Sequence, residues 1–159
     1  MNISKLRTGV GIDAHQFGDS GPCSLAGLKW DDAPRLLGHS DGDAAVHALC
    51  DAVLSACQLG DIGTFFGVDK PEMAGASGVA MIEKLCDFVT SKGFVINNVS
   101  LQIVGNKPKI TPRRDEAQKV LSAALGAPVS VAATTSDQMG FTGRGEGIYV
   151  IANALVQTP

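Results

Sequence analysis

Two residues that commonly bind metal ions stand two positions apart near the start of the chain. Asp13 and His15 lie in a segment of β-branched and small residues, for which we predict a strand over residues 7–15. Side chains two residues apart on a strand point to the same face, so both can reach one ion. His47 is a third candidate ligand, and two imidazoles with one carboxylate form a common zinc site with its fourth position open.

Two carboxylates flank His47 on the helix predicted around it. Asp43 and Asp51 lie four residues before and after His47, one helical turn away. A ligating histidine usually donates from its second ring nitrogen to an outer acceptor, so either carboxylate could support His47. The alternative is that His15 and His47 are half-buried histidines hydrogen-bonded to nearby carboxylates, and spacing alone leaves both interpretations open.

Two further segments could contact phosphate. The segment 39–41 (His-Ser-Asp) precedes the helix, where backbone N–H groups attract an anion, although Ser40 or Asp41 could equally be its N-cap. The segment 134–137 (Thr-Thr-Ser-Asp) ends a predicted strand. Its hydroxyls and carboxylate suit phosphate and a hard cation, and they are also typical of a helix N-cap.

Residues 140–147 are rich in glycine and carry Arg144. The segment has neither the Walker A pattern nor the dinucleotide-binding pattern of glycines. An arginine in a flexible turn suits bidentate phosphate binding, and a plain turn between strands explains it equally.

The composition limits the classes of protein that remain. The chain has 159 residues, 45% of them hydrophobic, which predicts one domain over residues 1–159. The net charge of −3 lacks the basic excess of nucleic-acid-binding proteins, and no apolar run approaches the roughly 20 residues of a membrane span. We therefore expect no nucleic acid and no membrane as partners. The first residues lack a signal or transit pattern, so we expect a cytoplasmic protein.

Cysteine and glycine usage adds two expectations. The four cysteines include no C-x-x-C pair and lie in apolar stretches, so we predict that Cys23, Cys50, Cys57 and Cys86 are reduced packing residues. Nineteen glycines make up about 12% of the chain, against a usual 7%, which predicts many tight turns or close approaches of the backbone to a ligand.

The spacing of hydrophobic residues predicts the strands and helices that carry the candidate site residues. The last predicted strand is apolar on both sides, with Ile148 and Val150 on one face and Tyr149 and Ile151 on the other. Helices can cover one face, and either another subunit or further parts of the same chain could cover the second. We predict strands over 7–15, 23–30, 94–104, 129–135 and 146–156, and helices over 46–57, over 79–89 and from Thr111 to Leu125.

Taken together and in this order, the motifs resemble one known family. They are Gly11–His15, Gly38–Asp43, His47 with Asp51, Leu59–Gly63 and Gly140–Gly147. They are similar to the 2-C-methyl-D-erythritol 2,4-cyclodiphosphate synthases over about residues 7–156. The resemblance implies an α+β fold in which helices pack on one face of a mixed β-sheet while the other face lies in a homotrimer interface, with active sites between subunits.

The resemblance also implies an activity. The family converts a cytidine-diphosphate methylerythritol 2-phosphate into a cyclic diphosphate and releases CMP, in the non-mevalonate route to isoprenoids. Such an enzyme is a metal-dependent phosphorus–oxygen lyase. Because the 2-phosphate of the substrate is itself the nucleophile, the protein needs only to position groups and neutralise charge.

The same resemblance assigns roles to individual residues. Zn²⁺ would be held by Asp13, His15 and His47, and Mg²⁺ or Mn²⁺ would accompany the substrate diphosphate at Asp137. His39 and Thr135 would be catalytic, and the loop 105–111 would wrap the cytosine through its backbone. The implied substrate contacts are Asp13, His15, His39, Ser40, Asp61, Ile62, Gly63, Phe66, Asp69, Gly105, Lys109, Thr111, Thr134, Thr135, Asp137, Phe141 and Arg144.

Three positions depart from the family pattern. The segment 66–70 (Phe-Gly-Val-Asp-Lys) stands where the family often has Phe-Pro-Asp-Thr-Asp, Asp137 replaces a glutamate, and Gln138 replaces a lysine.

Two other functions could use the same residues. A zinc phosphohydrolase would activate water with the Asp/His set, and a non-catalytic protein could hold isoprenoid diphosphates or nucleotides.

Overall fold

The computed structural model describes residues 3–38, 40–67 and 75–159. Two short 3-10 turns, Ile3–Lys5 and Thr111–Arg113, precede β1 and α4. The helices and strands are β1 (Leu6–Gln16), β2 (Cys23–Leu25), β3 (Leu28–Trp30), α1 (Ala44–Ala56), α2 (Ile62–Phe66), α3 (Gly78–Ser91), β4 (Val95–Val104), α4 (Arg114–Leu125), β5 (Val129–Thr134), α5 (Gly140–Gly143) and β6 (Gly147–Gln157).

Four of the strands form one mixed sheet. Its order is β1-β6-β4-β5, in which β6 pairs antiparallel with both β1 and β4, and β4 pairs parallel with β5. The last strand of the chain therefore lies in the interior of the sheet. The predicted α+β class, with helices packed on a mixed sheet, is confirmed.

Helix α1 lies unusually close to the sheet because β1 carries glycine where the two meet. A Cβ atom at Gly9 would overlap the backbone of Ala52 and Ala56, and a Cβ atom at Gly11 would overlap that of Ala48. No side chain fits between strand and helix at these two positions. Gly9 and Gly11 therefore serve the packing of α1 on β1.

The two faces of the sheet differ in their surroundings. On the helical face of β6, Ile148 and Val150 are fully buried. On the opposite face, Tyr149 and Ile151 are half-buried, while Val10 and Ile12 of β1 are 53% and 49% exposed. The prediction of an apolar surface on both sides of the last strand is confirmed, and in the single chain its second face is open.

Two local predictions were wrong. The segment 23–30 is not one strand but a hairpin of β2 and β3, because Ala26 and Gly27 take positive φ angles and reverse the chain. The N-cap of α1 is Asp43 rather than Ser40 or Asp41: its carboxylate accepts hydrogen bonds from the backbone N–H groups of Ala45 and Val46.

The cysteines pack as predicted. Cys23, Cys50 and Cys57 are buried in the core, and Cys86 is half-buried between α3 and α4. Burial raises the pKa of the Cys23 thiol to about 12 and that of Cys86 to about 11, so both stay protonated. In the described part of the chain, no helix has the length and apolar character needed to cross a membrane.

Candidate metal centre and active site

Three polar side chains meet where the end of β1 faces the first turn of α1. Oδ2 of Asp13 lies 2.7 Å from Nε2 of His15 and 3.0 Å from Nδ1 of His47. The two ring nitrogens are 3.1 Å apart. Asp13 and His15 share one face of β1 and His47 comes from the helix packed on that face, so the three form a group that could hold a metal ion.

The partner of the outer ring nitrogen fixes the tautomer of His15 and leaves two tautomers open to His47. Nδ1 of His15 faces the carbonyl oxygen of Leu37, which can only accept, so Nδ1 carries the hydrogen. Nε2 of His47 lies 2.9 Å from the hydroxyl of Ser40 and can donate to it. When Nε2 of His47 is the donor to Ser40, the remaining lone pairs of both neutral rings point at the same carboxylate oxygen, an arrangement that a cation between them stabilises.

A tetrahedral metal fits this triangle after a small expansion. Ligand atoms about 2.0–2.1 Å from a zinc ion are separated by roughly 3.3 Å. The observed edges of 2.7–3.1 Å need to open by only a few tenths of an ångström. The residues present, including their two outer hydrogen bonds, therefore suit a metal with three protein ligands.

Without a metal, a proton takes the place of the cation. The hydrogen bond to Asp13 raises the pKa of His15 above its ordinary 6.5, against the opposing effect of burial. Burial alone would raise the pKa of Asp13, but the hydrogen bonds from His15 and His47 outweigh it and lower that pKa to about 2. Both shifts favour the ionised form of the Asp13–His15 pair in the metal-free protein.

The predicted support of His47 by neighbouring carboxylates was wrong. Asp43 is 1% exposed, and its carboxylate accepts from the backbone of α1 and from Ala26 and Gly27 in the β2–β3 turn. Asp51 accepts from the backbone N–H of Ile62, at 2.7 Å, and so fastens α2 to α1. The outer partner of His47 is Ser40.

Part of the predicted substrate surface borders the three polar side chains. A cavity of about 320 Å³ is lined by His15, Gln16 and Phe141, among others, so Phe141 shares a cavity with a candidate ligand. Phe141 is 40% exposed. Arg144 is exposed and forms an ion pair with Glu146, which also lines this cavity.

The segment 61–63 is the beginning of α2. The carboxylate of Asp61 accepts from both the backbone and the hydroxyl of Thr64, which lowers its pKa. Ile62 is partly exposed and Gly63 is exposed. Phe66, also a predicted substrate contact, is only 6% exposed and packs edge-on against Phe65 in the core.

A second group of predicted residues lies at the far edge of the sheet. Thr134 ends β5 with its carbonyl oxygen bound by Gly105 N–H, and Thr135 is exposed. Asp137 is exposed and has a positive φ of 54°, and its N–H lies 3.4 Å from the Thr135 hydroxyl. These residues form a turn whose polar groups face solvent.

The two groups do not meet within one chain. The residues Ala14, Tyr149, Val104 and Thr134 form one row across β1, β6, β4 and β5. The two ends of this row are three strand spacings apart, a distance of about 14 Å. The candidate metal ligands and Thr134 therefore stand at opposite edges of the sheet.

Comparison with known proteins decides the family. The YgbB family matches residues 6–157. The chain belongs to the YgbB family. A 2-C-methyl-D-erythritol 2,4-cyclodiphosphate synthase from Cutibacterium acnes is 52% identical over 96% of this chain and 91% of its own length. The resemblance inferred from the motifs is confirmed.

This YgbB-family chain is also similar to part of a bifunctional enzyme and to a solved structure. It is 52% identical to part of the bifunctional enzyme IspD/IspF of Clavibacter michiganensis, of which it spans 38%. A solved 2-C-methyl-D-erythritol 2,4-cyclodiphosphate synthase in a CDP-bound form superimposes with a TM-score of 0.86 at 31% identity, covering 95% of this chain and all of that one. The fold of the chain is therefore that of the family.

Two predicted residues, His39 and Asp69, lie outside the described residues. Two functional contacts were missed from the sequence. The carbonyl of Leu37 orients His15, and a backbone carbonyl leaves no signal in residue type. Ser40 was expected at phosphate, whereas its contact with the ring of His47 was not anticipated.

Proposed function

We propose that this YgbB-family chain converts 4-diphosphocytidyl-2-C-methyl-D-erythritol 2-phosphate into 2-C-methyl-D-erythritol 2,4-cyclodiphosphate and CMP. The observation that carries the proposal is the convergence of Asp13, His15 and His47 on one point in a chain so similar to synthases of that name. The chain is an enzyme of the non-mevalonate isoprenoid route, a cyclising and CMP-releasing lyase.

The reaction needs no nucleophile from the protein. An oxygen of the 2-phosphate attacks the β-phosphorus, and the bond from that phosphorus to the oxygen shared with CMP breaks. The leaving CMP keeps the shared oxygen and its electrons, and no water enters. The residues of the chain therefore have to position two phosphates and neutralise the charge that moves onto CMP.

The Asp13, His15 and His47 side chains would hold Zn²⁺, with Leu37 and Ser40 orienting the two rings. Bound there, zinc would supply a positive charge for a phosphate oxygen of the substrate. The exposed carboxylate of Asp137 would bind Mg²⁺ or Mn²⁺ beside the diphosphate, directly or through a water.

The remaining contacts follow from where the described residues lie. Ser40, which can accept from His47, keeps its own hydroxyl hydrogen for a phosphate, and His39 would bind beside it. The start of α2 at Asp61, Ile62 and Gly63 would meet the methylerythritol. The loop 105–111 would hold cytosine, with Thr134, Thr135, Phe141 and Arg144 as further substrate contacts, Thr135 in a catalytic role and Asp69 on the segment after α2.

We further propose that three copies of the chain assemble, so that each active site uses two of them. Two observations support this. Three strand spacings, about 14 Å, separate Thr134 from Ala14, which lies between two of the candidate ligands, and this is too far for one diphosphate to bridge at close range. The open face with Val10 and Ile12 offers an apolar surface for a second copy. Light scattering that shows a monomer at micromolar concentration would contradict the trimer.

A cytoplasmic location accords with the four free cysteines, which suit a reducing compartment. The function itself is tested by one incubation with the cytidine-diphosphate substrate, followed by phosphorus NMR. A cyclic diphosphate with equimolar CMP is expected. Inorganic phosphate would indicate a phosphohydrolase, and tight binding without turnover would indicate a binding protein.

A further inference from the structure

The loop proposed to hold cytosine, residues 105–111, is attached to three different parts of the chain. Its first residue, Gly105, donates to the carbonyl of Thr134 at 3.0 Å. The side chain of Asn106 donates to the carbonyl of Gly143, the last residue of α5, at 3.0 Å. The backbone N–H of Lys109 donates to Oδ2 of Asp32, also at 3.0 Å. Asp32 is 77 residues away in sequence.

The element that carries Asp32 is firmly anchored. Asp32 follows β3, whose last residue Trp30 is 2% exposed and donates from its indole N–H to the carbonyl of Leu25. The guanidinium of Arg113 stacks on the Trp30 ring, with 4.9 Å between its carbon and the ring centroid, and donates to the carbonyl of Lys29. At its other end the hairpin is held by the buried carboxylate of Asp43.

We propose that Asp32 is a positioning residue, which holds the backbone of the 105–111 loop at Lys109 in the shape that receives the nucleobase. This rests on the proposed function, which assigns the loop to cytosine. A loop that reads a base through backbone groups discriminates only if those groups are fixed before the base arrives. A carboxylate that accepts from a backbone N–H is among the stronger hydrogen bonds available for this purpose.

Ile110, the residue after Lys109, supports a positioning role for Asp32 rather than a role in overall stability. Ile110 is 3% exposed and fixes the loop from its apolar side, so Lys109 and Ile110 together determine the direction of the chain there. Asp32 itself is exposed and contributes little to the free energy of unfolding. Its removal should therefore loosen the loop while the remainder of the chain keeps its fold.

The test compares three variants of the full chain with the wild type, using CDP and UDP as probes. Asp32→Ala removes the acceptor, and Asp32→Asn keeps an acceptor oxygen without the charge. Asp31→Ala is the matched control, because Asp31 is an exposed carboxylate one residue away. Calorimetry gives the affinity for each nucleotide, and steady-state kinetics separate KM from kcat.

We expect Asp32→Ala to bind CDP about three- to ten-fold more weakly, the effect of one lost net hydrogen bond. UDP binding should change less, so the ratio of CDP to UDP affinity falls, and KM rises while kcat stays within about two-fold. Asp32→Asn should recover most of the CDP affinity, and Asp31→Ala should match the wild type. A role in stability alone would lower the melting temperature and leave the affinity ratio unchanged.

Unchanged CDP affinity and selectivity in Asp32→Ala would overturn the inference, as would an equal loss in Asp31→Ala. Either result leaves the proposed function intact if the wild type releases CMP from the cytidine-diphosphate substrate. A wild-type protein that does not bind CDP would overturn both proposals at once.

Discussion

The close packing of α1 on β1 makes the replacement Gly11→Ala a strong test of the structure. The added Cβ atom would overlap the carbonyl oxygen of Ala48 and would lie 2.5 Å from the backbone nitrogen of Ala52. An ordinary contact to that nitrogen requires about 3.4 Å, so helix or strand must move by roughly 1 Å. Because both partners are backbone, no side-chain rotation relieves the overlap.

The expected cost lies at the upper end of the range for overpacked sites, about 3 kcal/mol in the free energy of unfolding. For a chain of this size, that loss lowers the melting temperature by roughly 6–12 °C. The same movement displaces His47, which precedes Ala48, relative to Asp13. Distances of 2.7–3.1 Å within the candidate metal centre do not survive a 1 Å shift, so zinc content should fall as well.

Thermal melting by circular dichroism and zinc analysis of the purified protein measure the two effects. Gly126→Ala is the control: open space surrounds its Cβ position, so only the positive φ of 68° opposes alanine, at about 1 kcal/mol. If Gly11→Ala loses no more stability than Gly126→Ala and keeps its zinc, the described contact between β1 and α1 is incorrect.

Three other outcomes follow from the site. Because a metal-bound imidazole must be neutral, zinc affinity should fall as the pH decreases through the raised pKa of His15. The Asp13–His15 ion pair should stabilise the metal-free protein with the opposite dependence on pH. Its contribution to the free energy of unfolding is fully present below pH 6.5, the ordinary pKa of histidine, and is lost as the pH rises through the raised pKa of His15. Equilibrium dialysis and denaturation at several pH values measure both, and parallel trends would contradict the ion pair. Asp137→Asn should weaken the magnesium dependence of turnover while zinc content stays at the wild-type level. An unchanged magnesium titration would mean that Asp137 has only a structural role in its turn. Inactive His47→Ala and Thr135→Ala chains, refolded together in equal amounts, should recover about one quarter of wild-type activity, since that share of interfaces pairs two intact halves. No recovery would mean that one chain supplies both halves.

The candidate metal ligands could be predicted because their signal is local. Asp13 and His15 share a face through the two-residue period of a strand, and His47 stands on the helix that follows. Their outer partners could not be predicted in the same way. Asp43 has the spacing of a His47 partner, but unpaired N–H groups of the helix start and of the Ala26–Gly27 turn claim its carboxylate.

The long helices and strands were predicted to within a few residues, whereas two short helices were missed. Helices α2 and α5 have five and four residues, and both contain glycine, so neither has a recognisable hydrophobic period. The order of the strands was also beyond prediction. Which strand lies beside β1 depends on pairing between segments far apart in the chain. The local spacing of hydrophobic residues carries no information about such pairing.

The interior position of β6 has a consequence for the biosynthesis of the protein. Leu6 pairs with Gln157, and β4 reaches β1 only through the strand that contains Gln157. Until β6 has been synthesised, no strand joins β1 to β4, and β1 stays unpaired. Final assembly of the sheet must await synthesis of β6, which predicts slow folding and makes nascent chains stalled before β6 substrates for chaperones or proteases.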